Sequence, residues 1–176
     1  SDTNLGESSL RSIGEYAFRK CSYLNDITMP DTLERVGMYA FSDSGLWSNA
    51  NGVVYAGNWL VDYKTEDSYE SVTVTDGTAG IAEYAFYEKS TLLGAYLPDS
   101  VKYIGRSAFY QCKSMSTVRL PALLTVIEDY TFYHCDKLAL PTLPETLTRI
   151  GRSAFYKCSL GTESNDTDSD QLIIPD

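Results

Sequence analysis

The sequence predicts a solenoid of the α/β class, built from short parallel strands and short helical turns in coils of 23 residues. The main evidence is a six-residue motif that begins with an aliphatic residue and ends in Tyr or Ser, then Ala or Thr, then Phe. Its starts are 23 residues apart, except for a gap of 45 residues between Val36 and Ile81, one short of two periods. The six copies lie at 13–18, 36–41, 81–86, 104–109, 127–132 and 150–155.

A short strand is predicted in the second half of each coil. In the first, third and fourth copies apolar residues lie 14 and 16 positions after the motif start, which is the two-residue alternation of a strand with one face turned inward, whereas the fifth copy has Pro141 at the first of these positions. Proline at position 17 has no N–H to donate and ends the strand, as in Ala95, Leu97 and Pro98. The Ala–Phe end of the motif is predicted to form a single tight helical turn packed over the sheet.

The long gap is predicted to hold a degenerate coil, at 47–75, rather than a linker. Val72 and Val74 occupy the strand positions of the regular coils, which predicts a further strand at 71–75. Residues 53–61 contain two short apolar runs around an Ala-Gly-Asn turn. We expect them to form a β-hairpin that protrudes from the solenoid.

The whole chain, 1–176, is predicted to be one domain of about seven coils, since 43% hydrophobic residues can supply a continuous core. A net charge of −10 argues against partners such as nucleic acid or anionic lipid, because both would be repelled. No stretch approaches the roughly 18 consecutive apolar residues of a membrane span, and the first residues do not resemble a signal peptide. No direct membrane insertion is therefore expected in this segment.

These motifs resemble the BspA-like, or Treponema-type, leucine-rich repeats of bacterial surface proteins. The shared pattern, I-G-x-x-A-F-x-x-C-x-x-L-x-x-I-x-L-P-x-x-L-x-x-I-G, is nearly complete at 13–37 and 104–126, and the resemblance covers 10–160. It implies a right-handed leucine-rich-repeat solenoid. It also implies an extracellular or cell-surface location, because members of that family are secreted or surface proteins and some are adhesins. The resemblance gives a class of role and no particular partner.

Cysteine recurs eight positions after the motif start, which predicts that the last three cysteines stack on consecutive coils. Coils about 4.8 Å apart would allow a disulfide, but parallel side chains in a ladder point the same way. We expect buried free thiols, since free cysteine is among the most buried residue types. A metal site ranks far behind, because there is no Cys-x-x-Cys pair or second histidine. The four cysteines are Cys21, Cys112, Cys135 and Cys158.

The sequence offers no catalytic constellation. His134, the single histidine, adjoins Cys135, but adjacent residues in a coil point to different sides, whereas a catalytic dyad needs its side chains in contact. The acidic loop at 161–170 places aspartates at alternate positions, but it lacks the turn glycine and distal glutamate of a calcium loop. We therefore predict a non-enzymatic protein without cofactor or metal.

Outward-facing strand positions are the predicted contact residues of a broad binding surface. The aromatic residues of the gap, which no neighbouring coil repeats, either form an exposed patch for protein or sugar or seal the hairpin to the solenoid. The strand candidates are Asn25, Asp26, Thr28, Tyr96, Thr117, Arg119 and Thr142, and the gap candidates are Trp47, Tyr55, Trp59 and Tyr63.

The leading functional hypothesis is an adhesin-like protein-binding module whose partner is a host matrix protein or another cell-surface protein. Two alternatives remain open. One is a structural spacer or stalk within a larger surface protein. The other is a carbohydrate-binding module that uses the gap aromatics.

Overall fold

The computed structural model describes residues 9–64 and 70–159, which form a solenoid of about six turns, close to the predicted seven. The strands are two to five residues long, and one short helix is present in the described part of the chain. In chain order the elements are β1 (Ser12–Ile13), β2 (Arg35–Val36), α1 (Gly45–Asn49), β3 (Val53–Ala56), β4 (Trp59–Tyr63), β5 (Ser71–Thr73), β6 (Gly80–Ile81), β7 (Gly94–Tyr96), β8 (Tyr103–Ile104), β9 (Thr117–Arg119), β10 (Val126–Ile127) and β11 (Arg149–Ile150).

Parallel strands form two rows along the solenoid. The first row lies at the motif starts, with β4, β6 and β8 in one sheet and the pairs β1–β2 and β10–β11 beside it. The second row is the three-stranded sheet β5–β7–β9. Ile81 pairs with Ile104 in the first row, and Ala95 pairs with Val118 in the second. Partners are thus 23 residues apart, so residues at one repeat position lie side by side in neighbouring coils.

The second row confirms the strand predicted at 71–75, since β5 runs parallel to β7. It also confirms the predicted alternation. Val72 and Ala95 are buried under the sheet, while Thr73 and Tyr96 beside them are exposed. The inward positions therefore supply the core, and the outward ones supply a surface.

Two segments lack the strand that was predicted in every coil. Residues 25–29 are followed by α1 and a hairpin, so the next coil provides no second-row strand for them to pair with. Residues 139–143 contain Pro141, which has no N–H to donate to a ladder. The prediction is wrong at the first place because a strand needs a neighbour as well as an apolar pattern, and at the second because proline interrupts the ladder.

The Ala–Phe segment of each coil is a chain of tight turns, and the predicted helical turn is wrong. Two residues per coil, three and seven positions after the motif start, have φ between 50° and 63°. These left-handed residues aim alternate N–H groups at the next coil. The amide of Phe86 donates to Ala108 O at 2.8 Å, and that of Phe109 donates to Thr131 O at 2.9 Å. A helical turn would have used these donors within its own coil.

Phenylalanine forms the centre of the core. The rings of Phe86, Phe109, Phe132 and Phe155 stack with centroid separations of 4.8, 5.3 and 5.2 Å, close to the strand spacing. The first three of these residues are fully buried. Burial of each ring stabilises the fold by roughly 1.5–3 kcal/mol, so the stack is a large part of what holds the coils together.

The hairpin predicted at 53–61 is confirmed as β3 and β4, but it does not protrude. β4 pairs parallel with β6, so the hairpin contributes a strand to the first row. Trp59 packs directly on Gly80, where an added Cβ would lie 2.6 Å from the indole ring. The Tyr63 ring packs on that of Phe86 in a tilted arrangement, with centroids 5.1 Å apart, at the end of the phenylalanine stack. The irregular segment therefore replaces one coil in both the sheet and the core.

An ion pair joins the two regular coils on either side of the irregular segment. Arg35 Nε lies 2.7 Å from Glu83 Oε1, and Arg35 Nη2 lies 3.1 Å from Glu83 Oε2. The Glu83 side chain is only 9% exposed, whereas that of Arg35 is 48% exposed. Hydrogen bonding to Glu83 raises the pKa of Arg35 above its usual value. Arg35 therefore provides hydrogen bonds and a compensating charge to the Glu83 carboxylate, which is largely buried.

The substitution Arg35→Ala is expected to lower the free energy of unfolding by about 2 kcal/mol, because it leaves the buried Glu83 carboxylate without its partner. Arg149→Ala is the matched control. Like Arg35, Arg149 is the residue directly before a motif start, but the side chain of its partner Glu128 is 41% exposed. Its loss should cost less than about 0.5 kcal/mol. Urea unfolding of both variants measures the difference, and equal losses would contradict the role given to Arg35.

Candidate functional site

The outward residues of the second row form one continuous surface, here named the outer sheet face. Its backbone groups are paired between parallel strands, so the side chains stand on a fixed frame. Leu93 and Tyr96 are its large apolar members, 36% and 48% exposed. The face consists of Ser71, Thr73, Leu93, Tyr96, Ser116, Thr117 and Arg119, all of them exposed.

Three of the predicted strand residues come together on this face. Tyr96 of β7 pairs in register with Arg119 of β9, and Thr117 also lies on β9. Thr142 is exposed one coil further on, in a segment without a strand. The other three candidates, Asn25, Asp26 and Thr28, are also exposed. They lie in the first coil, in a segment outside the sheet β5–β7–β9, so the predicted surface is divided into two parts.

Arg119 is held in place by its own chain. Its Nη1 donates to Leu97 O at 2.6 Å, and its Nη2 lies 3.0 Å from both carboxylate oxygens of Asp99. Asp99 also accepts the amide of Ala122 at 3.0 Å. The hydrogen bond from that amide, together with Arg119, lowers the pKa of Asp99. Arg119 therefore offers a partner a fixed charge pair rather than a free cation.

The aromatic residues of the gap do not form one exposed patch. Trp59 is 1% exposed and stacks on Tyr103 at 6.0 Å, and Tyr63 is 8% exposed in the phenylalanine stack. Tyr55 is half-buried, and its hydroxyl accepts the amide of Thr75 at 3.1 Å. As surface candidates Trp59 and Tyr63 are wrong, because they replace core residues of the absent coil. Trp47, the remaining candidate, lines an open site.

That site is a cleft of about 340 Å³, here named the interruption cleft. It lies where the turn segments of the first two coils meet α1 and β4. Tyr16 and Tyr39, whose ring centroids are 6.0 Å apart, occupy the same repeat position in these coils. The lining residues are Tyr16, Arg19, Tyr39, Ser42, Asp43, Trp47 and Asp62.

Asp62 is the most constrained polar group of the cleft. The indole N–H of Trp47 donates to Asp62 Oδ2 at 2.9 Å, and the amide of Tyr63 donates to Oδ1 at 2.7 Å. Partial burial raises the pKa of Asp62 above its ordinary value, although these two hydrogen bonds oppose the change. Lys64 places its ammonium 4.3 Å from the centre of the Trp47 ring. The carboxylate is thus fixed in orientation, with acceptor sites left over.

Tyrosines at one repeat position form a ladder on the turn side of the later coils. Tyr87, Tyr110, Tyr133 and Tyr156 stack at 5.0, 4.8 and 4.9 Å. Burial raises the pKa of Tyr87 to about 12. These rings contact one another along the solenoid, so their main role is in packing between coils.

The histidine and its cysteine neighbour make no dyad. His134 Nδ1 lies 2.9 Å from Asp136 Oδ1, whereas the Cys135 thiol donates to Phe109 O at 3.1 Å. The two side chains thus contact different groups, as predicted for adjacent residues of a coil.

The thiols stack as predicted, and all four cysteines are free. Each of the last three donates to the carbonyl of a phenylalanine in the preceding coil, as Cys112 does to Phe86 O at 3.1 Å. Contact with the neighbouring thiol and burial raise the pKa values of Cys135 and Cys158. A raised pKa keeps a thiol protonated and unreactive at neutral pH.

Within 9–64 and 70–159, metal-binding side chains form no cluster of three or more. The same residues include no helix with the length and apolar character of a membrane span. The acidic loop predicted at 161–170, with its calcium-like aspartate spacing, lies outside the described residues.

Two rows of parallel strands, a phenylalanine stack and one exposed sheet face define a leucine-rich-repeat solenoid. The family model of the BspA type leucine-rich repeat region matches six copies over residues 3–51 and 63–168. The chain therefore belongs to the BspA-type leucine-rich-repeat family, as its motifs predicted. A search of curated proteins finds no match.

Several solved structures are similar to this chain. A leucine-rich cell surface protein of Faecalibacterium prausnitzii is 27% identical over 84% of this chain and 42% of its own, with a TM-score of 0.58. The pneumococcal vaccine antigen PcpA is 24% identical over 82% of this chain and 39% of its own, with a TM-score of 0.57. A Treponema pallidum leucine-rich-repeat protein is 24% identical over 57% and 60%, with a TM-score of 0.46. The chain spans less than two-thirds of each.

Thiol labelling separates the exposed cysteine from the stacked ones. Cys21 is exposed, whereas Cys112 and Cys135 are fully buried. In the native protein at pH 8, a disulfide reagent such as DTNB should modify Cys21 at once. Cys112 and Cys135 should react only after unfolding in guanidinium, and peptide mass spectrometry identifies the modified residues. Rapid native labelling of Cys135 would contradict the thiol stack.

Proposed function

We propose that this chain is a non-enzymatic protein-binding module of a bacterial surface protein, and that the outer sheet face is its contact surface. The proposed partner is a host matrix protein or another cell-surface protein. Membership of the BspA-type family supports this class of role, and one similar solved structure is itself a cell surface protein. The family does not identify the partner, so the choice of surface rests on the geometry of this chain.

The observation that carries the proposal is the exposure of Leu93 and Tyr96 on a rigid sheet. Most outward positions of the face are small or polar, yet these two place apolar surface in water. Tyrosine is enriched among the residues that dominate binding energy, because a two-torsion ring offers a large contact area with little entropy loss. The paired backbone beneath needs no ordering when a partner binds, which lowers the cost of association.

The test uses the whole chain, immobilised and presented with a panel of purified matrix and surface proteins by biolayer interferometry. For any partner that binds, Tyr96→Ser is expected to raise Kd at least tenfold, as loss of a central aromatic anchor does. The matched control is Tyr23→Ser, since Tyr23 is 96% exposed and lies outside the face. This control should change Kd less than twofold.

Equal effects of the two tyrosine variants would overturn the assignment of the face. A loss of binding on Asp26→Lys alone would instead place the contact in the first coil. If no protein in the panel binds, the protein-binding proposal fails and the spacer hypothesis gains support.

A further inference from the structure

The interruption cleft is a product of the irregular coil. In the regular coils, amides three, five and seven positions after the motif start donate to the next coil, as those of Tyr84, Phe86 and Glu88 do. After Asp43 the chain of the second coil continues into α1 and the hairpin, so no further turn segment follows directly. β4 and Tyr63 restore the sheet and the core. The turn side is left with a recess beside the first two coils.

The lining of the cleft combines aromatic rings with hydrogen-bonding groups of both kinds. Tyr16, Tyr39 and Trp47 supply rings, Asp43 and Asp62 supply acceptors, and Arg19 supplies donors. The face of an aromatic ring is electron-rich and attracts the polarised C–H groups on one side of a pyranose ring. Planar carboxylates and guanidinium groups can each bond two adjacent hydroxyls. This is the set of groups that a sugar ring requires.

Two of the charged residues of the cleft, Arg19 and Asp43, already pair with each other. Arg19 Nε lies 3.7 Å from Asp43 Oδ2, and the Arg19 guanidinium lies 5.5 Å from the centre of the Tyr16 ring. On the other side, Lys64 lies over the Trp47 ring and donates to two backbone carbonyls. A cationic ligand would therefore be repelled by the two cations that already lie beside these rings. A neutral ligand with many hydroxyls gains hydrogen bonds without displacing an ion pair.

Asp62 provides a fixed acceptor for such a ligand. Its two hydrogen bonds, from Trp47 and from the Tyr63 amide, use about half of the four acceptor sites of a carboxylate. The remaining sites are held in one orientation, which reduces the entropy lost on binding. The volume of about 340 Å³ lies at the lower end of the range for small-molecule sites. It is suited to one or two sugar rings.

We propose that the interruption cleft binds a neutral hexopyranose unit of a glycan. The site is separate from the outer sheet face and shares no residue with it, so it would be a second binding activity of the same chain. Tyr16, Tyr39 and Trp47 contact the sugar ring, and Asp43, Asp62 and Arg19 bond its hydroxyls.

The repeat itself supplies variants that should fold. Serine occupies the position of Tyr16 in two other coils, as Ser107 and Ser153, so Tyr16→Ser introduces a residue that this backbone accepts. Asp43 has a φ of 58°, a conformation that asparagine tolerates well, so Asp43→Asn removes a charge without straining the turn. The matched controls at the same two repeat positions are Tyr130→Ser and Glu88→Gln.

The experiment is a neutral-glycan array probed with the whole chain, followed by saturation-transfer NMR with the methyl hexopyranosides that the array indicates. The wild-type chain should retain at least one class of neutral glycan. Tyr16→Ser and Asp43→Asn should each raise Kd at least tenfold, while the two controls change it less than twofold. Circular dichroism melting curves confirm that all four variants are folded.

Three outcomes would overturn the proposal. One is that no neutral hexopyranose binds the wild-type chain. Another is that the control variants weaken binding as much as the cleft variants do. The third is that an oligolysine peptide binds and Asp43→Asn abolishes that binding, which would make the cleft a cation site. Tyr96→Ser should leave glycan binding unchanged, so failure here is distinguishable from failure of the outer sheet face.

Discussion

Backbone hydrogen bonding between coils is the constraint on which this structure depends. In each regular coil two left-handed residues turn alternate amides toward the next coil, and a short parallel strand does the same on another side. Because the register is 23 residues, side chains at one repeat position must stack on their counterparts. The ladders of phenylalanine, tyrosine and cysteine follow from this register. Such recurrence reflects packing, and function is to be sought where the stacking leaves surface free.

The irregular segment shows how much of a coil can be replaced. The strand β4 restores sheet pairing, Tyr63 continues the aromatic stack, and Arg35 neutralises the buried Glu83 across the junction. The described residues of this segment, 47–64 and 70–75, do not repeat the turn ladder, and the interruption cleft results. One departure from the repeat therefore produces a site of a different chemical kind from the outer sheet face, without loss of the core.

The repeat made much of the fold predictable, because a fixed period determines which residues share a level. It predicted β5, the hairpin and the stacked free thiols. The prediction of a helical turn in the turn segment was wrong. Residues such as tyrosine and lysine stand at the left-handed positions, and unlike glycine they do not indicate a left-handed backbone. The burial of Trp59 depends on Gly80, which leaves room for the indole ring. The sequence shows this glycine but does not show that it faces Trp59. The cleft was not predicted, because Tyr16 and Tyr39 belong to the repeat motif and only the structure shows a recess beside them.

Amide hydrogen exchange measured residue by residue by NMR tests the inter-coil ladder most directly. The amides of Phe86, Phe109 and Phe132 donate across coils inside the core, so they should exchange only as slowly as the domain unfolds. The amide of Asp76, in an exposed turn, should exchange orders of magnitude faster. Rapid exchange of the three phenylalanine amides, in a protein whose strands remain protected, would contradict the ladder and the stacking argument built on it.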